Sequence, residues 1–135
     1  MRMAETEFPF EELTYKIIGS AMEVHRCLGP GLLERTYLTC LHHQLRADGL
    51  RPMSEVPIPV HYKGLPLDAS YRADLLVDET VLVELKAVEQ IMPVHCMQTL
   101  TYLKLSRLPI GLLINFNVPS LKAGIRRFAN TSPGS

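Results

Sequence analysis

Apolar positions along this chain recur with two different periods. From Glu11 onward, Leu13, Ile17, Ile18, Ala21, Val24, His25 and Leu28 fall on one stripe at helical spacing. Gly29-Pro30-Gly31 ends that stripe, with a glycine where a helix C-cap belongs. A second stripe, Tyr37, Leu38, Leu41 and Leu45, predicts a helix over about Leu32–Ala47, closed by Asp48-Gly49. Glu34 projects near the middle of this stripe, in the first turn. The helix dipole favours a carboxylate there, but it does not explain an inward direction. An ionised carboxylate turned toward a core needs a partner or a metal.

The period then changes. Val56–Tyr62 is extended, and its prolines cannot donate to a ladder, so it belongs at a sheet edge or carries bulges. Lys63-Gly64 turns the chain into Leu65–Leu67. Tyr71–Lys86 holds two apolar runs around Asp78-Glu79-Thr80, the pattern of a β-hairpin. A third helix is predicted from about Pro93 to Arg107, with Val94, Met97, Gln98, Thr101, Tyr102 and Leu105 inward and His95 at the stripe's edge. Ile110–Phe116 reads as a strand buried on both faces. Leu121, Ile125 and Phe128 belong to a last element of undetermined type. Residues 1–10 and Asn130–Ser135 are expected to be loose ends of a single domain. The order implies an α/β (α+β) fold, a mixed central sheet flanked by helices.

Composition narrows the function classes. Lys+Arg and Asp+Glu each number 14, so the formal charge is zero. That argues against coating nucleic acid by bulk electrostatics, though not against a local basic groove. Three widely spaced cysteines without a C-x-x-C indicate neither a disulfide framework nor a zinc ribbon. No apolar run approaches a membrane span, and the N-terminus lacks a signal peptide's apolar stretch. A soluble cytoplasmic domain with reduced thiols and no membrane partner is expected.

The chemistry concentrates in the hairpin. With a three-residue turn, Val77 faces Val81 and Asp74 lies across from Glu84. One face then carries Tyr71, Ala73, Leu75, Val77, Val81, Val83, Leu85 and Ala87. The other carries Leu76 and Leu82 near the turn, and Arg72, Asp74, Glu84 and Lys86 at the far end. A two-residue turn would separate the carboxylates. Two carboxylates and a lysine can hold a divalent metal and polarise a phosphate; they can also be a solvated, ion-paired sheet face. The hairpin by itself leaves both open. Inward polar groups from two helices, Glu34 and Gln98, weigh toward the site.

Gly31-Leu-Leu-Glu34-Arg-Thr-Tyr37 matches a G-x-x-E-x-x-Y signature. Together with residues 24–37, 71–89, 98–104 and 111–116, in this order, it resembles the GxxExxY protein family. That family is similar to a compact branch of the PD-(D/E)XK nuclease superfamily, with a restriction-endonuclease-like core. The resemblance implies catalytic roles for Asp74, Glu84, Lys86 and the helical acid Glu34. It also implies a Mg²⁺ or Mn²⁺ ion held by Asp74, Glu84, the Leu85 carbonyl and Glu34. Gln98 and Tyr102 resemble a Q-x-x-x-Y motif that flanks such sites, and His95 is a candidate phosphate contact. The implied activity is phosphodiester hydrolysis of DNA; a homodimer would let so small a nuclease cut both strands, though no residue marks one. The alternatives are a catalytically silent nucleic-acid-binding or scaffold protein on the same fold, and a phosphoesterase acting on a small substrate.

Overall fold

The computed structural model describes residues 10–68 and 71–131. The expected loose ends therefore lie outside the described residues, apart from Phe10, Asn130 and Thr131. Asn130 is not loose: it is buried, and its amide donates to the carbonyls of Leu103 and Leu108.

Helices α1 (Glu11–Leu28) and α2 (Glu34–Ala47) form where the two stripes predict them. Strand β1 (Pro52–Pro57) follows, then the short hairpin of β2 (Val60–Tyr62) and β3 (Leu65–Leu67). The proline-rich segment expected as one stretch is thus divided between two sheets. Strands β4 (Arg72–Val77) and β5 (Val81–Lys86) form the central hairpin. Helix α3 (Pro93–Ser106) crosses to β6 (Ile110–Asn115), and a 3-10 turn (Leu121–Gly124) leads into β7 (Ile125–Ala129).

The main sheet has the order β1-β4-β5-β6-β7. Only β5 and β6 are parallel, which is what a helical crossover requires. β1 is an edge strand, so its prolines interrupt no second ladder. β6 is central and buried along its whole length.

The two faces carry separate apolar clusters. On one, Ile17, Ala21, Tyr37, Leu41 and Leu45 of α1 and α2 cover Leu75, Val81, Val83, Leu85, Leu112 and Ile114. On the other, Tyr102 and Leu103 of α3 cover Ile58, Ala73 and Leu82. Leu103 packs directly over Gly111 of β6: a Cβ there would lie in ordinary contact with it and with the Leu82 carbonyl oxygen, at 3.5 Å.

The stripe expected for α3 is rotated. Thr99, Tyr102 and Leu103 are buried, while Val94 and Met97 are 63% and 66% exposed, and Gln98 and Thr101 also face outward. Apolar residues lie on all sides of this helix, so periodicity alone does not select a face. The small second cluster covers only part of α3 and takes the side bearing Leu103.

The α1–α2 junction is bolted by Tyr37. Its ring is fully buried and stacks on Phe116, with centroids 4.5 Å apart and planes 9° from parallel. Its hydroxyl donates to the Gly29 carbonyl at 2.6 Å and accepts from the Leu32 N–H at 3.2 Å. Gly31, at φ +100°, makes the left-handed turn between them. The Gly31/Glu34/Tyr37 spacing is thereby a structural device that fixes where α2 begins, with Glu34 as its first residue.

Candidate active site

The central hairpin turns as the sequence predicts, with Val77↔Val81, Leu76↔Leu82 and Leu75↔Val83 paired. Asp78 and Glu79 both adopt left-handed backbone, and the Thr80 N–H closes on the Val77 carbonyl at 3.0 Å. Beyond Leu75 and Val83 the ladder stops. Side chains take over from the backbone. The Asp74 N–H donates to Glu84 Oε2 at 2.9 Å, and the Leu85 N–H donates to Asp74 Oδ2 at 2.7 Å. Each carboxylate thus satisfies the neighbouring strand's orphaned donor.

β4 meanwhile stays with β1, through Val56↔Ala73 and Pro57↔Arg72. The alternation of faces is broken at Asp74. Ala73 joins the α3-side cluster, whereas Leu75 and Val77 face α1 and α2. The expected all-apolar hairpin face therefore fails at Ala73, because β4 leaves β5 there. Asp74 and Glu84 meet in the gap that this creates. Strand N–H and C=O groups of one residue point to the same side, so the Leu85 carbonyl also faces this gap.

Burial governs the electrostatics. Glu84 is 5% exposed. That burial, and secondarily the Asp74 charge, push its pKa up to about 8, against the Asp74 N–H bond and Lys86. Burial likewise pushes Asp74 up. The Leu85 N–H bond and Lys86 oppose this, and the charges of Glu34 and Glu55 reinforce it. Tyr102 is also pushed up, first by burial and then by the Glu84 charge.

Glu34 stands elsewhere than expected. It is exposed, not turned into the core. The stripe of α2 runs past the end of the apolar cluster, so Glu34 lines a cleft of about 240 Å³ with Arg35, Leu38, Glu55 and Asp74. Its charge nevertheless acts on both Asp74 and Glu84.

Lys86 is half-buried at the end of β5, on Glu84's side by strand alternation. Its backbone is pinned: the Phe116 N–H donates to the Lys86 carbonyl at 2.9 Å. Gln98 donates to Tyr102 Oη at 3.2 Å, which joins the two residues expected to flank the site. His95 serves its own helix, where its Nδ1 accepts the Met92 N–H at 2.9 Å and caps the start of α3.

Two residues not singled out from the sequence also shape the site. Glu55 sits on β1 between the partners of Leu75 and Ala73, in left-handed backbone at φ +55°. Its carboxylate pairs with Arg35 at 2.8 Å at the edge of the cleft. No local motif marks it. Buried Asn115 accepts the Val88 and Asn117 N–H groups and donates to the Val88 carbonyl, clamping the chain just past Lys86. An asparagine inside a continuous apolar strand was the available signal.

The donor set fits a hard cation. Among the described residues, no group of three or more His, Cys, Asp and Glu side chains is placed to hold a metal ion. Two carboxylates and a backbone carbonyl are oxygen donors only, and Mg²⁺ commonly takes one or two protein carboxylates and keeps its waters. A buried Glu84 beside a half-buried Asp74, both resisting ionisation, is the further mark of a place suited to positive charge.

No helix among the described residues is long and apolar enough to cross a membrane. No curated protein matches this chain, and no solved structure does. A model of the PD-(D/E)XK nuclease superfamily matches residues 11–128. The match spans both helices before the sheet, the opened hairpin and the α3 crossover to β6 and β7, the elements that assemble Asp74, Glu84 and Lys86 at one end of the sheet. On that extent of agreement, the chain belongs to the PD-(D/E)XK nuclease superfamily.

Proposed function

We propose that this protein is a metal-dependent nuclease that hydrolyses phosphodiester bonds of DNA. The observation that carries the proposal is the meeting of the Asp74 and Glu84 carboxylates in the opened hairpin, each accepting a backbone N–H of the other strand. Asp74, Glu84 and the Leu85 carbonyl would hold a Mg²⁺ or Mn²⁺ ion, with Glu34 as an outer group across the cleft. Such an ion supplies Lewis-acid polarisation of a phosphoryl oxygen and lowers the pKa of a water. Lys86 contributes positive charge on the side where the phosphoryl oxygens gain negative charge. It acts as a positive charge at the end of β5. Gln98 and Tyr102 orient the substrate at the α3 side. His95, with Nδ1 committed to the helix cap, has only Nε2 left for a phosphate.

A catalytically silent nucleic-acid-binding protein is the second reading. The exposed position of Glu34 and the neutral overall charge favour it. Calorimetric titration with Mn²⁺ separates the two, followed by incubation with single- and double-stranded DNA. Wild type is expected to bind the ion and cut, Asp74→Ala to do neither, and Lys86→Ala to bind without cutting. A wild-type chain that neither binds metal nor cuts any DNA overturns the nuclease reading and leaves the silent one.

A further inference from the structure

A second recognition feature lies beside the carboxylates, on the α3 side. Tyr71 precedes β4 and is 47% exposed. Its backbone is fixed, because its carbonyl accepts the Ile58 N–H at 2.9 Å. Its ring contacts Tyr102, with centroids 6.0 Å apart and planes tilted by 53°. Tyr102 in turn senses the Glu84 charge. Only Arg72 and Ala73 separate Tyr71 from Asp74 along the chain, and its ring contact with Tyr102 adds a second link to the site.

Tyr71 also lines a cavity of about 350 Å³. Pro57, Ile58, Pro59 and Leu67 give it an apolar wall, and Arg72 and Asp68 add one charge of each sign. Leu67 comes from the small β2–β3 hairpin, which has no other evident use. Its exposed residues include the large apolar Tyr62, Leu65 and Leu67 beside His61 and Lys63. A duplex keeps its base faces stacked inside, where the Tyr71 ring face cannot reach them. An unpaired base has two π-faces and polar edges, which this slot complements. Arg72 adds the positive charge that the adjoining phosphate needs.

We propose that Tyr71 and the slot beside it hold an unpaired nucleobase, so that the site takes single-stranded DNA or a frayed end in preference to duplex. This rests on the nuclease reading and narrows its substrate. The base stacks on the Tyr71 ring and packs against the proline-rich wall. The following phosphate is led past Arg72 toward Asp74.

The test uses the Asp74→Asn chain, which removes one acidic charge and keeps binding separate from cutting. Fluorescence anisotropy with a labelled single strand and its duplex is measured alone and with Tyr71→Ala, Tyr71→Phe or Leu67→Asp added. Circular dichroism checks each fold. The single strand is expected to bind at least about 10-fold more tightly than the duplex. Tyr71→Ala is expected to weaken it about 5- to 150-fold, the range for losing one stacked base. Tyr71→Phe keeps the binding, and Leu67→Asp weakens it. Equal affinity for duplex, or a Tyr71→Ala chain that binds like its parent, overturns the inference and leaves the nuclease reading intact. Failure to bind either form, together with no cutting by wild type, removes the nuclease reading and this inference with it.

Discussion

Replacing Glu84 with glutamine should stabilise the metal-free protein at mildly alkaline pH. Glu84 ionises at about 4.5 in an unfolded chain and at about 8 in the fold. Between those values the folded state holds a proton that the unfolded state has released. Stability therefore falls as pH rises, and the favourable contribution is fully present only below about pH 4.5. Each unit of displacement corresponds to about 1.4 kcal/mol, so the separation sets a ceiling of roughly 5 kcal/mol. The loss at Glu84 alone is smaller, because Asp74 is displaced in the same direction and the pair shares the titration. Glutamine keeps an acceptor for the Asp74 N–H and never ionises. It also relieves Asp74 of a neighbouring charge.

The assay is urea unfolding in a chelator, followed by far-ultraviolet circular dichroism at about pH 5.5 and about pH 8. Wild type should lose on the order of 2–3 kcal/mol between the two, and Glu84→Gln markedly less, so that the variant is the more stable at the higher pH. Adding Mn²⁺ at the higher pH should restore wild type, release protons on binding, and leave the variant unmoved. Parallel pH profiles for the two chains, or a wild type more stable at the higher pH, would refute the raised ionisation of Glu84. A flat response of wild type to the metal would refute the use made of it.

Two further predictions concern the scaffold around the site. Tyr37→Phe leaves the Gly29 carbonyl and the Leu32 N–H without their partner, and should cost about 1–2 kcal/mol in urea unfolding while the Phe116 stack persists. Gly124→Ala should be far worse, because its Cβ would overlap the Asn115 carbonyl oxygen, backbone against backbone; a loss of about 3 kcal/mol or more is expected by thermal or chemical unfolding, and a loss below about 1 kcal/mol would contradict the packing.

Much of the fold is legible because burial imposes periodicity. α1 and α2 each bury one side, both against the same sheet face, so their stripes appear in the sequence. β6 is buried on both faces, and its unbroken run says so. The hairpin's odd turn followed from keeping two carboxylates together, and Val77↔Val81 has that register. Where a position lies at a boundary, the sequence is silent. Glu34 and Leu38 share a helix face, yet one overhangs a cleft and the other is buried. Nothing local records where the sheet ends beneath them. In α3 the two apolar sides compete, and the packing of Tyr102 and Leu103 with Ile58, Ala73 and Leu82, distant in sequence, decides between them. Glu55 is reached through an edge strand and a left-handed backbone, neither of which its neighbours encode.

The opening of the hairpin shows why the acidic positions matter before any chemistry is considered. A hairpin that parts its strands inside a sheet leaves N–H groups without acceptors, at about 1–3 kcal/mol each when buried. Here Asp74 and Glu84 supply those acceptors, each to a donor on the other strand. Alanine at either position would remove an acceptor as well as a negative charge, so a lost activity would not by itself identify a metal ligand. Asparagine at 74 and glutamine at 84 keep the acceptors and delete only the charge. Metal binding that survives both substitutions, in chains that fold as wild type does, would mean that the carboxylates serve the gap in the sheet and not a cation.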